Sequence, residues 1–120
     1  MSVNPSQVDL ISRLINATTV RQRVISQNVA NVNTPGYRRQ EVNFEDRLRD
    51  ALKHHDVEGA MEVEPEMRQT EGLAERSDGN NVDIDMEMGQ LTKNSILFET
   101  YSQILATKLG MLRSAISGDA

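Results

Sequence analysis

Residues 84–117 read IDMEMGQLTKNSILFETYSQILATKLGMLRSAIS, and their rhythm decides the fold. Met88, Leu91, Ser95, Phe98, Ser102, Leu105, Leu109, Leu112 and Ile116 follow one another in alternating steps of three and four, the spacing that lines one face of an α-helix. Leu97, Tyr101, Ile104, Met111 and Ala115 form a second row beside it. Asp83 suits the N-cap, with Asp85 and Glu87 favourably placed for the helix dipole. Arg113 falls in the last turn and Gly118 just past it, as a helix end prefers. The pattern predicts a helix from about Ile84 to about Ser117, some 50 Å long at roughly 1.5 Å per residue. A compact chain of this length is only about 35 Å across, so the helix either breaks or belongs to an elongated molecule.

The amino-terminal third carries a similar stripe. Asn4 suits an N-cap, Pro5 the first helical position and Gln7 the capping-box partner, while Val3 and Val8 stand where a hydrophobic staple would sit. Val8, Ile11, Ile15, Thr18, Gln22, Ile25, Val29 and Val32 keep the three-four spacing, flanked by Leu10, Leu14, Ala17 and Val24. The helix cannot pass Thr34, because Pro35 pushes its predecessor out of the α region and Pro35-Gly36 fits the centre of a type II turn. Both stripes are wider than a strict coiled-coil seam, so two helices paired only with each other leave apolar surface in water. Packing against further chains would cover it. The polar seam residues Thr18, Gln22, Ser95 and Ser102 either select partners or register or simply sit at the edge of the stripe.

Residues 38–82 show no sustained period. Phe44, Leu48 and Leu52 suggest a short helix around Glu45–His54, and Met61 to Pro65 alternates like a strand that Pro65 confines to an edge. Residues 76–81 are a loop by composition. Charge concentrates here: residues 1–40 carry a net +4, residues 41–90 a net −10 and residues 91–120 a net +1, for the total of −5. The fold class expected is mainly α: two long terminal helices forming an elongated, coiled-coil-like hairpin with an irregular insert. The expected division is 1–36 for the amino-terminal helix and turn, 37–81 for an irregular, partly mobile insert, and 82–120 for the carboxy-terminal helix.

Several function classes fall away on composition. The chain has 120 residues, no Cys and no Trp, two Phe and two Tyr. Thiolate zinc sites, disulfide scaffolds and Cys nucleophiles need residues it lacks. No apolar run reaches the roughly 18 residues of a membrane span, and the first residues lack the basic and apolar regions of a cleaved signal peptide. Five arginines dispersed through the first 40 residues do not make the dense basic stripe that nucleic-acid binding requires. His54-His55-Asp56 places neighbours, not a helix face, at the ligand positions. Asp78 to Gly89 fails the calcium-loop pattern at positions 5, 6 and 12. Asn16-Ala17-Thr18 matches a glycosylation sequon inside a helix. No phosphate loop and no nucleophile–base pair is present, so neither enzyme activity, nor a cofactor, nor a metal is expected.

The most specific stretch is Ser26-Gln27-Asn28-Val29-Ala30-Asn31-Val32-Asn33-Thr34-Pro35-Gly36-Tyr37. Physically it is a helix terminator: Asn side chains can bond freed backbone groups, Pro35-Gly36 reverses the chain, and Tyr37 can pack back on the helix. It resembles the signature of the bacterial flagellar axial proteins of the rod and hook. Gly79-Asn80-Asn81-Val82-Asp83-Ile84-Asp85-Met86-Glu87-Met88, followed by a long helix, is similar to the rod proteins of that family. The short length and small insert fit a proximal rod subunit.

That resemblance implies a structural subunit of the basal-body rod, stacked helically around an axial channel and carrying torque from the membrane ring towards the hook. It implies a periplasmic location reached through the flagellar type III export apparatus without a cleaved signal peptide. The partners implied are further copies, neighbouring rod subunits, and membrane-ring or adaptor proteins at the rod base, with no nucleic acid and no direct membrane insertion. Ala30, Asn31, Thr34, Pro35, Gly36 and Tyr37 would form the family turn. Val8, Ile11, Ile15, Ile25 and Val29 would pack on Leu91, Phe98, Leu105, Leu109 and Leu112. The alternative reading is a small acidic helical export chaperone of a type III secretion system.

Overall fold

Long-range polar contacts, more than the apolar rows, set how the two long helices meet. The computed structural model describes residues 5–118. In chain order the elements are α1 (Pro5–Ala30), β1 (Gln40–Asn43), α2 (Glu45–Lys53), α3 (Val57–Glu62), β2 (Glu66–Gln69) and α4 (Ile84–Ser117). Asn4 and Val3, the expected cap and staple partner, lie outside the described residues. At the other end the expectations meet the structure directly. Asp83 caps α4, its carboxylate accepting from the amides of Asp85 at 2.9 Å and Met86 at 3.4 Å, and Gly118 ends the helix in the left-handed region.

Helices α1 and α4 run antiparallel and side by side, and the molecule measures 64 × 28 × 14 Å with a radius of gyration of 18.1 Å. A compact chain of this length would have about 13–14 Å, so the elongation expected from the length of α4 is realised. The seam differs from the expected one. Ile11 and Ile25 are buried, and Val8, Ile15, Val29, Leu91, Leu105 and Leu112 are half-buried, but Phe98 and Leu109 are each 45% exposed. The residues α4 buries are polar, Glu87 and Asn94. The Asn94 amide donates to the Thr18 carbonyl at 2.8 Å and its oxygen accepts from Arg21 at 3.4 Å. These pins rotate α4 so that the line through Glu87, Asn94 and Tyr101 faces α1, leaving Phe98 on the shoulder of the seam about 40° away.

The insert holds four short elements where an irregular segment was expected. After the turn beyond α1 the chain doubles back along that helix as β1 and α2. Phe44 and Leu48 are buried against Ala17, with Ala60 of α3 closing the cluster and Leu10, Leu14, Ala51 and Val63 packed around it. Burying side chains of this size contributes about 1.5–3 kcal/mol each. Helix α1 therefore lies between α4 on one flank and the insert on another. The short helix expected around Glu45–His54 is α2. The strand expected over Met61 to Pro65 is not there. Asp56 caps α3, accepting from the Gly59 amide at 2.8 Å, and holds residues 57–62 helical. The strand begins after Pro65 and pairs antiparallel with β1, Val42 opposite Met67.

Candidate functional site at the junction of the two motifs

The two stretches that stand out in the sequence meet in space at the end of the hairpin where α1 stops and α4 starts. Helix α1 loosens at Asn31, whose amide is shared between the Gln27 carbonyl at 3.1 Å and that of Asn28 at 3.2 Å. The next reversal is the expected turn: the Tyr37 amide donates to the Thr34 carbonyl at 3.2 Å, and Gly36 has φ of 76°. Positive φ at the third residue of the four is what a type II turn demands. Ala30, Thr34, Pro35 and Gly36 are exposed, while Asn31 and Tyr37 are half-buried.

The carbonyls of the turn that follows α1 are held from the second motif. Asn80 is fully buried, and its amide nitrogen lies 2.9 Å from the Asn31 carbonyl, 3.1 Å from that of Val32 and 2.9 Å from that of Thr34. Its side-chain oxygen accepts from the Val82 amide at 2.8 Å. Arg76 donates to the Val82 carbonyl at 2.6 Å and also to that of Val32. The Gly36 amide donates to the Asp78 carbonyl at 2.8 Å, tying the turn to the second motif. Of the four carbonyls left open at the end of a helix, those of Gln27, Asn28 and Val29 are met locally by the Asn31 and Val32 amides and the Asn31 side chain, while the side chain from about fifty residues downstream holds the turn beyond them.

Beneath this cap lies a buried polar knot. Asn28 uses its whole hydrogen-bonding capacity. Its nitrogen donates to the Gln40 carbonyl at 2.8 Å and to Glu87 Oε2 at 3.2 Å. Its oxygen accepts from the Gln40 amide at 3.0 Å and the Tyr37 hydroxyl at 2.9 Å. Two donors and two acceptors are all that an amide side chain offers. Glu87 is 0% exposed and receives the Nε of Arg39, itself 6% exposed. Arg39 also donates to the Thr70 hydroxyl at 2.7 Å, and its backbone amide donates to Asn81 Oδ1 at 2.6 Å. The Tyr37 hydroxyl is held above the ordinary phenol range, chiefly by burial and further by the negative charge of Glu87, with Arg39 opposing.

These side chains bond to one another and to the backbone, each polar group turned inward onto another. A groove of about 470 Å³ runs between the insert and α4, lined by Arg21, Glu45, Asp46, Arg49, Lys93 and Tyr101 among others. Its charges are largely paired within the chain, Arg21 with Glu45 at 2.6 Å and Arg49 with Asp46 at 3.1 Å. Among the described residues no three His, Cys, Asp or Glu side chains gather closely enough to hold a metal ion, and no helix is long and apolar enough to cross a membrane.

Sequence reasoning located the turn and missed its partners. Asn28, Arg39, Asn80, Asn81 and Glu87 carry the junction; the sequence placed all but Arg39 in the two motifs, and Glu87 near the helix dipole, without predicting their contacts across the junction. One signal was available for Asn28, a short polar residue lying between Ile25 and Val29 on the apolar stripe, where a buried amide must find partners. The expected apolar pairing of the helices is met only in part, since Phe98 and Leu109 stand open to solvent.

Comparison with known proteins bears on this junction. Residues 11–38, from the middle of α1 through the turn, match the family model described as flagella basal body rod protein. The flagellar basal body rod protein FlgB of Borrelia hermsii is 30% identical to the chain, the match covering 88% of the chain and 92% of that protein. The FlgB of Aquifex aeolicus is 30% identical, with 94% of each chain covered. The FlgB of Bacillus subtilis is 25% identical over 98% of each.

Proposed function

Since the chain belongs to the flagellar basal body rod protein family, we propose that it is a structural subunit of the proximal rod, polymerising helically to carry torque from the membrane ring towards the hook. The family is structural, and the chaperone alternative draws no support from the relatives. The observation that carries the finer reading is the apolar surface the hairpin leaves uncovered. Ile96, Phe98, Leu109 and Ile116 project from α4 into solvent, too many large groups on one helix for a chain that works alone. Neighbouring subunits would cover them. The turn of Ala30, Asn31, Thr34, Pro35, Gly36 and Tyr37, with the knot beneath it, would hold the two helices at a fixed angle at one end, so that torque applied to one is transmitted to the other. In this reading the partners are further copies, adjacent rod subunits and ring or adaptor proteins at the rod base. The subunit reaches the periplasmic part of the basal body through the type III export apparatus.

Leu109→Asp tests the reading, because Leu109 is exposed in the chain by itself. In the isolated subunit the change should stay within about 0.5 kcal/mol, as surface substitutions do. In a rod the carboxylate would be desolvated without a partner at every subunit of this type, a cost of several kcal/mol each. The expected outcome is a stable, exported subunit and basal bodies with no hook or filament. Fractionation shows the first and electron microscopy of basal bodies the second. Complete rods containing the variant would overturn the packing. Leu105→Asp, at a half-buried position on the same helix, should fail in assembly as well and also lower the melting temperature of the isolated chain.

A further inference from the structure

The two-stranded sheet has one closed edge and one open edge. The Thr70 amide donates to the Arg39 carbonyl at 3.0 Å, next to the paired register Gln40–Gln69, Glu41–Arg68, Val42–Met67 and Asn43–Glu66. In an antiparallel ladder, bonded and non-bonded pairs alternate. Residues 41, 43, 66 and 68 therefore make the inner bonds, and the backbone groups of residues 40, 42, 67 and 69 point away from the ladder. On β1 the outward groups of Gln40 are filled by the Asn28 amide, at 2.8 and 3.0 Å, as a neighbouring strand would fill them. On β2 all four residues are exposed, and Met67 is 57% exposed. Among the described residues none bonds to the outward amides of Met67 and Gln69.

The open edge is its own charge complement. Successive side chains alternate between the faces of a sheet, so Met67 shares the face of Val42 while Glu66 and Arg68 share the other. Consider a second copy related by a two-fold axis through the sheet, β2 against β2, with Met67 opposite Met67. Glu66 then stands directly opposite Arg68 of the second copy, and Arg68 opposite its Glu66. The Met67 residues exchange both backbone bonds, and the Gln69 amides reach the Pro65 carbonyls. The Val42 face gains a continuous row of Val42, Met67 and their symmetry mates. The bonds Glu66 and Arg68 already make, to Arg47 and Glu41 at 3.8 Å each, are long and exposed, so both side chains can turn to the new partner. Edges are ordinarily guarded by charges that repel a stray strand. This pair of charges repels generic strands and fits a second copy of itself.

We propose that free subunits associate through the β2 edge into a closed dimer with a four-stranded antiparallel sheet. The contact is short, well below the roughly 1,200 Å² of a standard stable interface, so the pair is weak and forms with rising concentration. An isologous contact uses one patch on both partners and closes. It cannot propagate along a rod, and the dimer therefore holds subunits apart from assembly and releases them by dilution.

Sedimentation velocity of the full chain across a wide concentration series tests this, whether or not the chain builds rods. The wild type should pass from monomer to dimer. Met67→Pro removes an outward amide that the β1–β2 ladder does not use, a position where an edge strand tolerates proline. It should weaken the dimer about tenfold or more with an unchanged circular dichroism spectrum. Glu66→Arg or Arg68→Glu alone sets like charges opposite each other and should also weaken it, whereas the double variant restores opposite signs and should recover dimerisation. If Met67→Pro disturbs the fold, the charge-swap series decides by itself. A wild type that stays monomeric throughout, a well-folded Met67→Pro that dimerises normally, or a double variant no tighter than the single ones would overturn the proposal.

Discussion

Glu87→Gln is the sharpest probe of the junction, because it keeps the shape of a fully buried side chain and removes only its charge. In the native chain Glu87 has no exposed surface and Arg39 is nearly as enclosed. Removing one partner of a buried ion pair strands the other and typically costs about 3–5 kcal/mol. Here Arg39 keeps the Thr70 hydroxyl at 2.7 Å, and a glutamine oxygen can still accept from its Nε, so the lower end, about 3 kcal/mol, is expected. Unfolding entropy near 2.1 cal/mol/K per residue gives about 0.25 kcal/mol/K for a chain of this size, so the melting temperature should fall by about 12 °C. Arg39→Met alone strands the carboxylate and should cost at least as much. Arg39→Met with Glu87→Leu strands neither charge; it costs Asn28 one acceptor, Glu87, while the Gln40 carbonyl keeps the other N–H. The double variant should therefore be more stable than either single one. Thermal melts followed by far-ultraviolet circular dichroism measure all three. A drop below about 2 °C for Glu87→Gln, or a double variant less stable than Arg39→Met alone, would refute the account of a coupled, desolvated pair.

Asn80→Asp presents a carboxylate to three carbonyl oxygens in place of an amide donor and should lower the melting temperature further than Asn80→Ala, which is expected to cost about 2–4 kcal/mol for the lost bonds; an aspartate as stable as the wild type would contradict the capping role. Gly36→Val should destabilise the chain by about 1–3 kcal/mol through its positive φ alone, since a Cβ there meets nothing within 4 Å. Gly110→Ala, equally open but helical, should stabilise it by up to about 1 kcal/mol, so denaturant melts of the two must differ in sign. Gly59 is no neutral comparator, because a Cβ there would lie 2.0 Å from the Asp56 carboxylate that caps α3. Tyr37 and Tyr101 both titrate above the usual phenol range in the folded chain, mainly through burial. Their contribution to stability is complete below about pH 10 and is lost as pH rises through the raised values. Tyr37→Phe should reduce that alkaline loss, and tyrosinate absorbance of the folded wild type starting to rise at the pH of the unfolded chain would count against it.

What could be read from the sequence was what local chemistry writes. Helix α4 was legible because its period, its Asp83 cap and its Gly118 terminator are all contained in neighbouring residues. The turn at Pro35-Gly36 was legible for the same reason. The seam was only half legible: the stripe on α4 is wide enough to face α1 along several lines, and Asn94 and Glu87 choose among them through partners on α1 and beside β1. Buried Asn80 and Arg39 have the same letters as surface residues, and only pairing with residues 31 or more positions away makes them interior. Strand β2, Glu66–Gln69, has no hydrophobic alternation to betray it. Its conformation follows from bonds to β1, and the apparent alternation over Met61 to Pro65 was outweighed by the cap at Asp56.

The hold of Asn80 on the turn after α1 also has a direction in time. The carbonyls it serves lie 46 to 49 residues earlier in the chain. A chain that emerges amino terminus first therefore offers α1 followed by an unfinished turn, and the buried places of Arg39 and Asn28 remain open until residues 80–87 arrive. Closing a loop of that length costs about 3–4 kcal/mol in chain entropy, which the cap and the knot must recover together in one step. The first half of the protein can form turns of helix, but the turn after α1 waits for its partners, and the segment that leads into α4 is the one that locks it.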